Sequence, residues 1–118
     1  MFQEDLSQAR DRYREQLQQS VQTIVEKLRA LATVHRISLF GSYARGSADL
    51  FTDLDVLVIM QSDVSFIERQ QQLYQLLGVP VDMDLLCYTP EEFQKIRDGA
   101  FFRHALQDEI VLYEKNAA

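Results

Sequence analysis

The chain has 118 residues, with 18 Asp and Glu against 12 Lys and Arg, a single cysteine and no tryptophan. That length holds one domain with a buried core and leaves little room for a second. The formal net charge of −6 opposes general nucleic-acid binding, which calls for a basic face. Binding of one nucleotide stays open, because local charge governs it. Cys87 has no second cysteine to pair with, so a reducing compartment, the cytoplasm, is expected. The segment Met1 to Arg14 is charged throughout, without the apolar core of a signal peptide. The most apolar stretch, Leu54 to Met60, is too short to span a bilayer.

In chain order, Asp5 to Ala32 contains no Gly or Pro, and Leu6, Tyr13, Leu17, Val21, Ile24, Leu28 and Leu31 form one helical stripe. Unbroken, that helix would be about 40 Å long, more than a small domain covers. It is expected either to break near Gln18–Ser20 or to project its first turns. Arg36 to Phe40 predicts a short strand ending at Gly41-Ser42, and Tyr43 to Thr52 a helical turn plus loop. Leu54 to Met60 predicts a buried strand. Phe66 to Leu77 predicts a helix closed by Gly78, and Val79 to Tyr88 a third strand. Thr89-Pro90-Glu91-Glu92 reads as an N-cap, a first-turn proline and a capping glutamate, opening a helix to Asp98. A helical segment Ala100 to Gln107 and a last strand Ile110 to Tyr113 follow. The order specifies a mixed α/β (α+β) domain with a small sheet flanked by helices. The organisation expected is a helical segment over 1–35, packing on the core or on a partner, and the main α/β domain over 36–118.

Three pieces carry chemistry. Gly41-Ser42 closes a strand and opens a helical turn. Glycine lets backbone approach a ligand, and free N–H groups at a helix start favour phosphate. Ser42 adds a hydroxyl, and Arg45 lies one turn on as a charge partner for a polyphosphate. Asp53 and Asp55 stand at i and i+2, on one face of the second strand. Like charges that close raise each other's pKa unless a cation neutralises them, and Mg²⁺ suits one or two carboxylates plus substrate phosphates. Asp82 and Asp84 repeat the pattern on the third strand. One of them, added to Asp53 and Asp55, would complete a set able to hold two metal ions for an in-line phosphoryl displacement.

Gly41-Ser42, ten residues, then Asp53-Leu54-Asp55 resembles the signature of the DNA polymerase β-like nucleotidyltransferases. Leu39 to Gly46 and Asp53 to Val58 are similar to the minimal nucleotidyltransferases (MNT) of bacteria and archaea, over about Ile37 to Tyr113. The resemblance implies a polymerase β palm-like nucleotidyltransferase fold. It implies that Gly41 and Ser42 hold the triphosphate of ATP, with Arg45 as the basic residue beyond them. It implies that Asp53, Asp55 and a third carboxylate ligate two Mg²⁺ ions. In relatives the third acid stands five residues ahead of the Thr of a Thr-Pro-Glu-Glu-Phe helix start, which selects Asp84, with Asp82 as second choice. Asp49-Leu50-Phe51-Thr52 departs from the Pro-Asp-Ser type of turn usual in relatives.

Larger relatives carry a second domain for the acceptor. The short chain is therefore expected to borrow its acceptor site from a partner. The resemblance implies the antitoxin of a HEPN/MNT toxin–antitoxin pair, moving AMP from ATP to a tyrosine hydroxyl of the HEPN toxin with release of pyrophosphate. The rivals are an antitoxin acting by contact alone and a small-molecule nucleotidyltransferase of the aminoglycoside-modifying kind. His35 and His104 read as surface residues. Cys87, Phe101, Phe102 and Tyr113 read as core, and the Arg97–His104 spacing as a coincidental match to an RNase motif.

Overall fold

The computed structural model describes residues 5–115; Met1–Glu4, part of the charged N-terminal segment, lie outside it. The first helix, α1, is continuous over Leu6–Arg29. The break considered near Gln18–Ser20 does not occur, because no residue there interrupts the backbone ladder and Leu17 and Ser20 are themselves buried. The helix starts where the Asp5 carboxylate accepts the Gln8 N–H and the Gln8 side chain accepts the Asp5 N–H, a reciprocal cap. Its first turns project, Leu6 being exposed, and the molecule measures 54 × 29 × 29 Å.

β1 (Val34–Phe40) leads into the single turn α2 (Gly41–Ala44), followed by β2 (Leu54–Met60), α3 (Phe66–Leu77), β3 (Met83–Tyr88), α4 (Pro90–Ile96), α5 (Ala100–Ala105), the 3₁₀ turn Leu106–Asp108 and β4 (Ile110–Glu114). The strands form one sheet in the order β3-β2-β1-β4. β1 is antiparallel to both β2 and β4, and β2 is parallel to β3. α3 begins on Ser65, whose hydroxyl accepts the Glu68 N–H, and stops at Gly78 in the left-handed region at φ 52°.

The third strand is shorter than its sequence suggests. It starts at Met83, not Val79, because Pro80 has no N–H to give a ladder and the chain leaving Gly78 first has to turn. The Leu54 N–H meets the sheet's new neighbour at the Asp82 carbonyl (3.0 Å). α4 likewise ends at Ile96, with the Gly99 N–H closing a turn on the Ile96 carbonyl (3.1 Å).

Alternation along the strands sorts the side chains to two faces. Leu54, Val56 and Val58 of β2, Ile37 and Leu39 of β1, and Leu85 and Cys87 of β3 pack with Leu17, Ile24 and Leu28 of α1 and Leu73 and Leu77 of α3. Phe40, Leu57 and Ile59 pack on the other face with Phe93 of α4 and Phe102 of α5. Cys87 is fully buried, as expected, and burial pushes its thiol up to about 12. Only Leu73 and Leu77 of the α3 apolar set are deeply buried; Ile67, Tyr74 and Leu76 face outward.

The cation Arg69 is the buried residue of α3 that periodicity missed. It is 2 % exposed. Its guanidinium donates to the Cys87 carbonyl (3.0 Å), the Val64 carbonyl (3.0 Å) and both Glu92 oxygens (2.7 and 3.4 Å). Glu92 also accepts the Thr89 N–H (2.8 Å), so the capping glutamate of α4 doubles as the counter-ion of α3. The Arg69 guanidinium and the Thr89 N–H hold the Glu92 carboxyl below the usual carboxylate value.

Arg69→Ala should lower unfolding free energy by about 2–4 kcal/mol, since it strands the buried Cys87 carbonyl and leaves the Val64 carbonyl and Glu92 without their cation; urea denaturation measures it. The stability Glu92 contributes is present above its unfolded pKa and is lost as pH falls through its depressed folded value. Arg69→Ala should therefore flatten the acid limb of a stability–pH curve.

Candidate active site

Parallel pairing sets the site. Asp55 of β2 and Asp84 of β3 are direct register partners, and both fall on the α4–α5 side of the sheet. They line one open cleft of about 500 Å³ together with Gly41, Arg45, Phe40, Tyr74, Leu85, Leu86, Phe101, His104 and Ala105. Gly41 comes against Asp55 so closely that a Cβ on it would stand 2.0 Å from the Asp55 Oδ2, and its φ of +76° is one that L side chains rarely adopt. Both the close approach and the backbone angle require glycine here. The N-cap of α2 is Phe40, which supplies no side-chain acceptor to the turn's first N–H groups.

Asp55 shows the electrostatic cost of this packing. Its pKa is raised to about 6, first by burial, then by the charges of Asp84 and Asp53 and a hydrogen bond shared with Asp84, against a lowering by Arg45. Asp53 is thus close enough to act on Asp55, although it does not line the cleft. Asp82, the second choice for the third acid, lines a separate hollow beside Gly78 and Val79. Between the two alternatives, geometry puts Asp84 beside Asp55. Ser42 is half-buried in α2, and its carbonyl accepts the Ser47 N–H (3.0 Å); its side chain does not line the cleft. Arg45 does line it and stands 3.7 Å from Asp108 across the mouth.

Among the described residues, no three or more His, Cys, Asp or Glu side chains converge as a metal-holding group. The pair Asp55–Asp84 nevertheless fits a hard divalent cation. It offers adjacent carboxylate oxygens whose repulsion Arg45 offsets only in part, and Mg²⁺ takes one or two carboxylates with the rest of its shell from phosphates and water.

The loop before Asp53 is held from α1. The Tyr13 hydroxyl donates to the Thr52 carbonyl (2.9 Å) and Arg14 to the Ala48 carbonyl (3.4 Å). Burial and the nearby Asp82 and Asp53 charges push the Tyr13 phenol above its ordinary value. Thr52 is buried, and its hydroxyl accepts the Asp49 N–H (2.8 Å). The Asp49 carboxylate in turn accepts the Phe51 N–H (2.8 Å). Phe51, the departure from the usual turn, is 92 % exposed and lies outside the cleft lining.

One expectation needs correction. Phe101 is not core: it is 59 % exposed and lines the cleft, held edge-on by Phe40 (6.4 Å between centroids) and Phe102 (4.9 Å). The short α5 cannot bury two successive phenylalanines on one side, and it turns Phe102 inward instead. His104 is on the surface, as expected, but that surface is the cleft wall. A helical phase fixed on buried Phe102 places Phe101 and His104 away from it and could have found both. Arg97 lies over the Phe93 ring and beside a different hollow, so its spacing to His104 builds no joint site.

Gly41→Ala should destabilise the fold by about 1–3 kcal/mol through backbone strain and displace the Asp55 carboxylate; denaturation and a crystal structure check both. The raised pKa of Asp55 also has a sign. Between its unfolded value and about 6 the folded state binds the extra proton, so stability falls as pH rises through that window. In metal-free buffer at pH 8, Asp55→Asn should gain about 1 kcal/mol, a figure discounted for solvent screening. The gain should vanish below pH 4.

Residues 21–81 match the nucleotidyltransferase domain family. The protein adenylyltransferase MntA of Thermococcus cleftensis is 41 % identical over 61 residues, which are 49 % of this chain and 62 % of that protein. The chain thus spans less than two thirds of that relative. Among solved structures, one assigned as a nucleotidyltransferase, from Sulfolobus solfataricus, superposes with a TM-score of 0.61 at 16 % identity, covering 87 % of this chain and 86 % of that one. A Shewanella oneidensis complex of MNT antitoxin with tri-AMPylated HEPN toxin gives 0.50 at 22 % identity, covering 83 % and 72 %. The likeness to these structures is one of fold. Matched over more than half of its length, across the segment that carries Gly41, Asp53 and Asp55, the chain belongs to the nucleotidyltransferase domain family.

Proposed function

We propose that this chain transfers AMP from ATP to a tyrosine hydroxyl of a HEPN-type toxin, as a cytoplasmic antitoxin that disarms its partner by modification. The observation that carries the reading is the in-register pair Asp55–Asp84, set against the Gly41 backbone in a cleft that Arg45 also lines. The adenylyltransferase relative and the AMPylated toxin complex support the acceptor class. No helix among the described residues is long and apolar enough to cross a membrane.

In this reading Gly41 brings the α2 backbone N–H groups to the triphosphate, where the free donors of a helix start favour phosphate. Arg45, in the cleft lining, adds a guanidinium to the same polyphosphate, and Ser42, beside the cleft, would add its hydroxyl only by turning its side chain inward. Asp84 accepts the proton of the acceptor hydroxyl, which then attacks the α-phosphate as pyrophosphate leaves. Asp53, Asp55 and Asp84 would hold Mg²⁺, whose chemistry when bound is to offset the charge of the acids and of the phosphates. Phe101 gives the cleft an apolar wall.

Intact-mass measurement of the co-purifying partner, after incubation with this protein, ATP and Mg²⁺, should show one or more added AMP groups. Asp53→Ala and Asp55→Ala should each abolish the mass increase with the circular dichroism spectrum retained. Neutralisation of the partner by those variants, together with no heat of ATP binding to the wild type, would favour the contact-only antitoxin. Modification of an aminoglycoside by the isolated chain would favour the small-molecule enzyme.

A further inference from the structure

We propose that Tyr74 is a positioning residue for Asp84, and that with Gln70 it replaces a missing strand along the outer edge of β3. β3 is the last strand on its side of the sheet. Alternate residues of a strand direct their N–H and C=O groups to the same edge, so Met83, Leu85 and Cys87 face outward while Asp84 and Leu86 pair inward with β2. An edge of this kind normally offers bare polar groups. Here the Tyr74 hydroxyl donates to the Met83 carbonyl (3.0 Å) and accepts the Leu85 N–H (2.9 Å). The Gln70 carboxamide donates to the Leu85 carbonyl and accepts the Cys87 N–H (2.7 Å). Arg69 completes the series at the Cys87 carbonyl (3.0 Å).

The pattern is that of a parallel ladder. In such a ladder one residue donates to the carbonyl before its opposite number and accepts from the N–H after it. Tyr74 does this around Asp84 and Gln70 does it around Leu86, each with one side-chain group. The spacing works because Gln70 and Tyr74 are four apart on a helix, a rise of about 6 Å. Two residues of a strand rise about 6.7 Å. α3 therefore runs beside β3 with its side chains in strand register.

The consequence falls on Asp84. Both peptide groups that flank it are held from outside by one hydroxyl while β2 holds its own peptide from inside. The direction of its carboxylate toward Asp55 is thereby fixed, and a second chain is kept from pairing at that edge. Tyr74 is 41 % exposed and its ring also borders the cleft. A direct contact with substrate is the competing role, and the test separates the two.

This proposal rests on the catalytic reading only for its kinetic part. Tyr74→Phe keeps the ring and removes the hydroxyl at a site water can reach, so the fold should be retained. The expected result is a lowered backbone order parameter at Asp84 and Leu85 by ¹⁵N relaxation. A fall in kcat of about 10- to 100-fold at unchanged KM for ATP should accompany it. Unchanged order at Asp84 overturns the proposal, as does lost order with unchanged kcat, or a rise in KM alone. If wild-type protein transfers nothing, the catalytic reading fails, and the order parameter still decides whether Tyr74 positions Asp84. Gln70→Glu, which keeps the acceptor and deletes the donor, is the second variant. It should loosen Leu85 to Cys87 and lower kcat less than Tyr74→Phe does, and an equal or greater fall counts against the register assigned to Tyr74.

Discussion

Two carboxylates on neighbouring parallel strands, at the same register position, are the constraint around which this molecule is arranged. Burial pushes the Asp55 carboxyl up to about 6, and the charge of Asp84 beside it adds to the rise. Nothing in the folding of a small sheet requires that arrangement, because two apolar residues at those positions would pack without electrostatic cost. The surrounding features make sense as means of tolerating it. Gly41 gives room, Arg45 supplies partial compensation, and an apolar sheet beneath fixes the register so that neither acid can slip to another face.

α3 meets the same need from the other side of β3. A helix packed on a sheet ordinarily contributes an apolar stripe, and Leu73 and Leu77 do so. This helix also contributes three polar side chains one after another to the strand's backbone: Arg69, Gln70 and Tyr74. Arg69 then reaches Glu92 and so ties the start of α4 to the same place. The crossover from β2 to β3 is thus fastened at several points by directional bonds, which specify geometry more sharply than apolar contact does.

The elements with strong local signals were legible in the sequence. β2 and α3 have the bounds that a Val/Ile run and a terminal Gly78 prescribe, and the Thr89-Pro90 start of α4 carries its cap. The positions of Gly41 and Asp55 pointed to the cleft because they report on a turn and a strand that are both local. What escaped was non-local or two-faced. Choosing Asp84 over Asp82 by geometry needs the parallel register with β2, which no residue of β3 announces. Arg69 carries no local signal of burial, because its partner Glu92 is 23 residues away. Tyr74 counted as apolar by period, yet it works through its hydroxyl. Phe101 and Phe102 are identical in type, and only the phase of a six-residue helix separates them.

α1 is a single rod of 24 residues, and its two halves have different attachments. Leu17, Ile24 and Leu28 root one half in the sheet, whereas the other half touches the body of the protein at Tyr13 and Arg14. The Tyr13 hydroxyl grips the carbonyl of Thr52, the peptide that leads directly into Asp53. Load applied to the protruding end therefore reaches the peptide ahead of Asp53 through Tyr13, whose ring also packs on the core of the sheet.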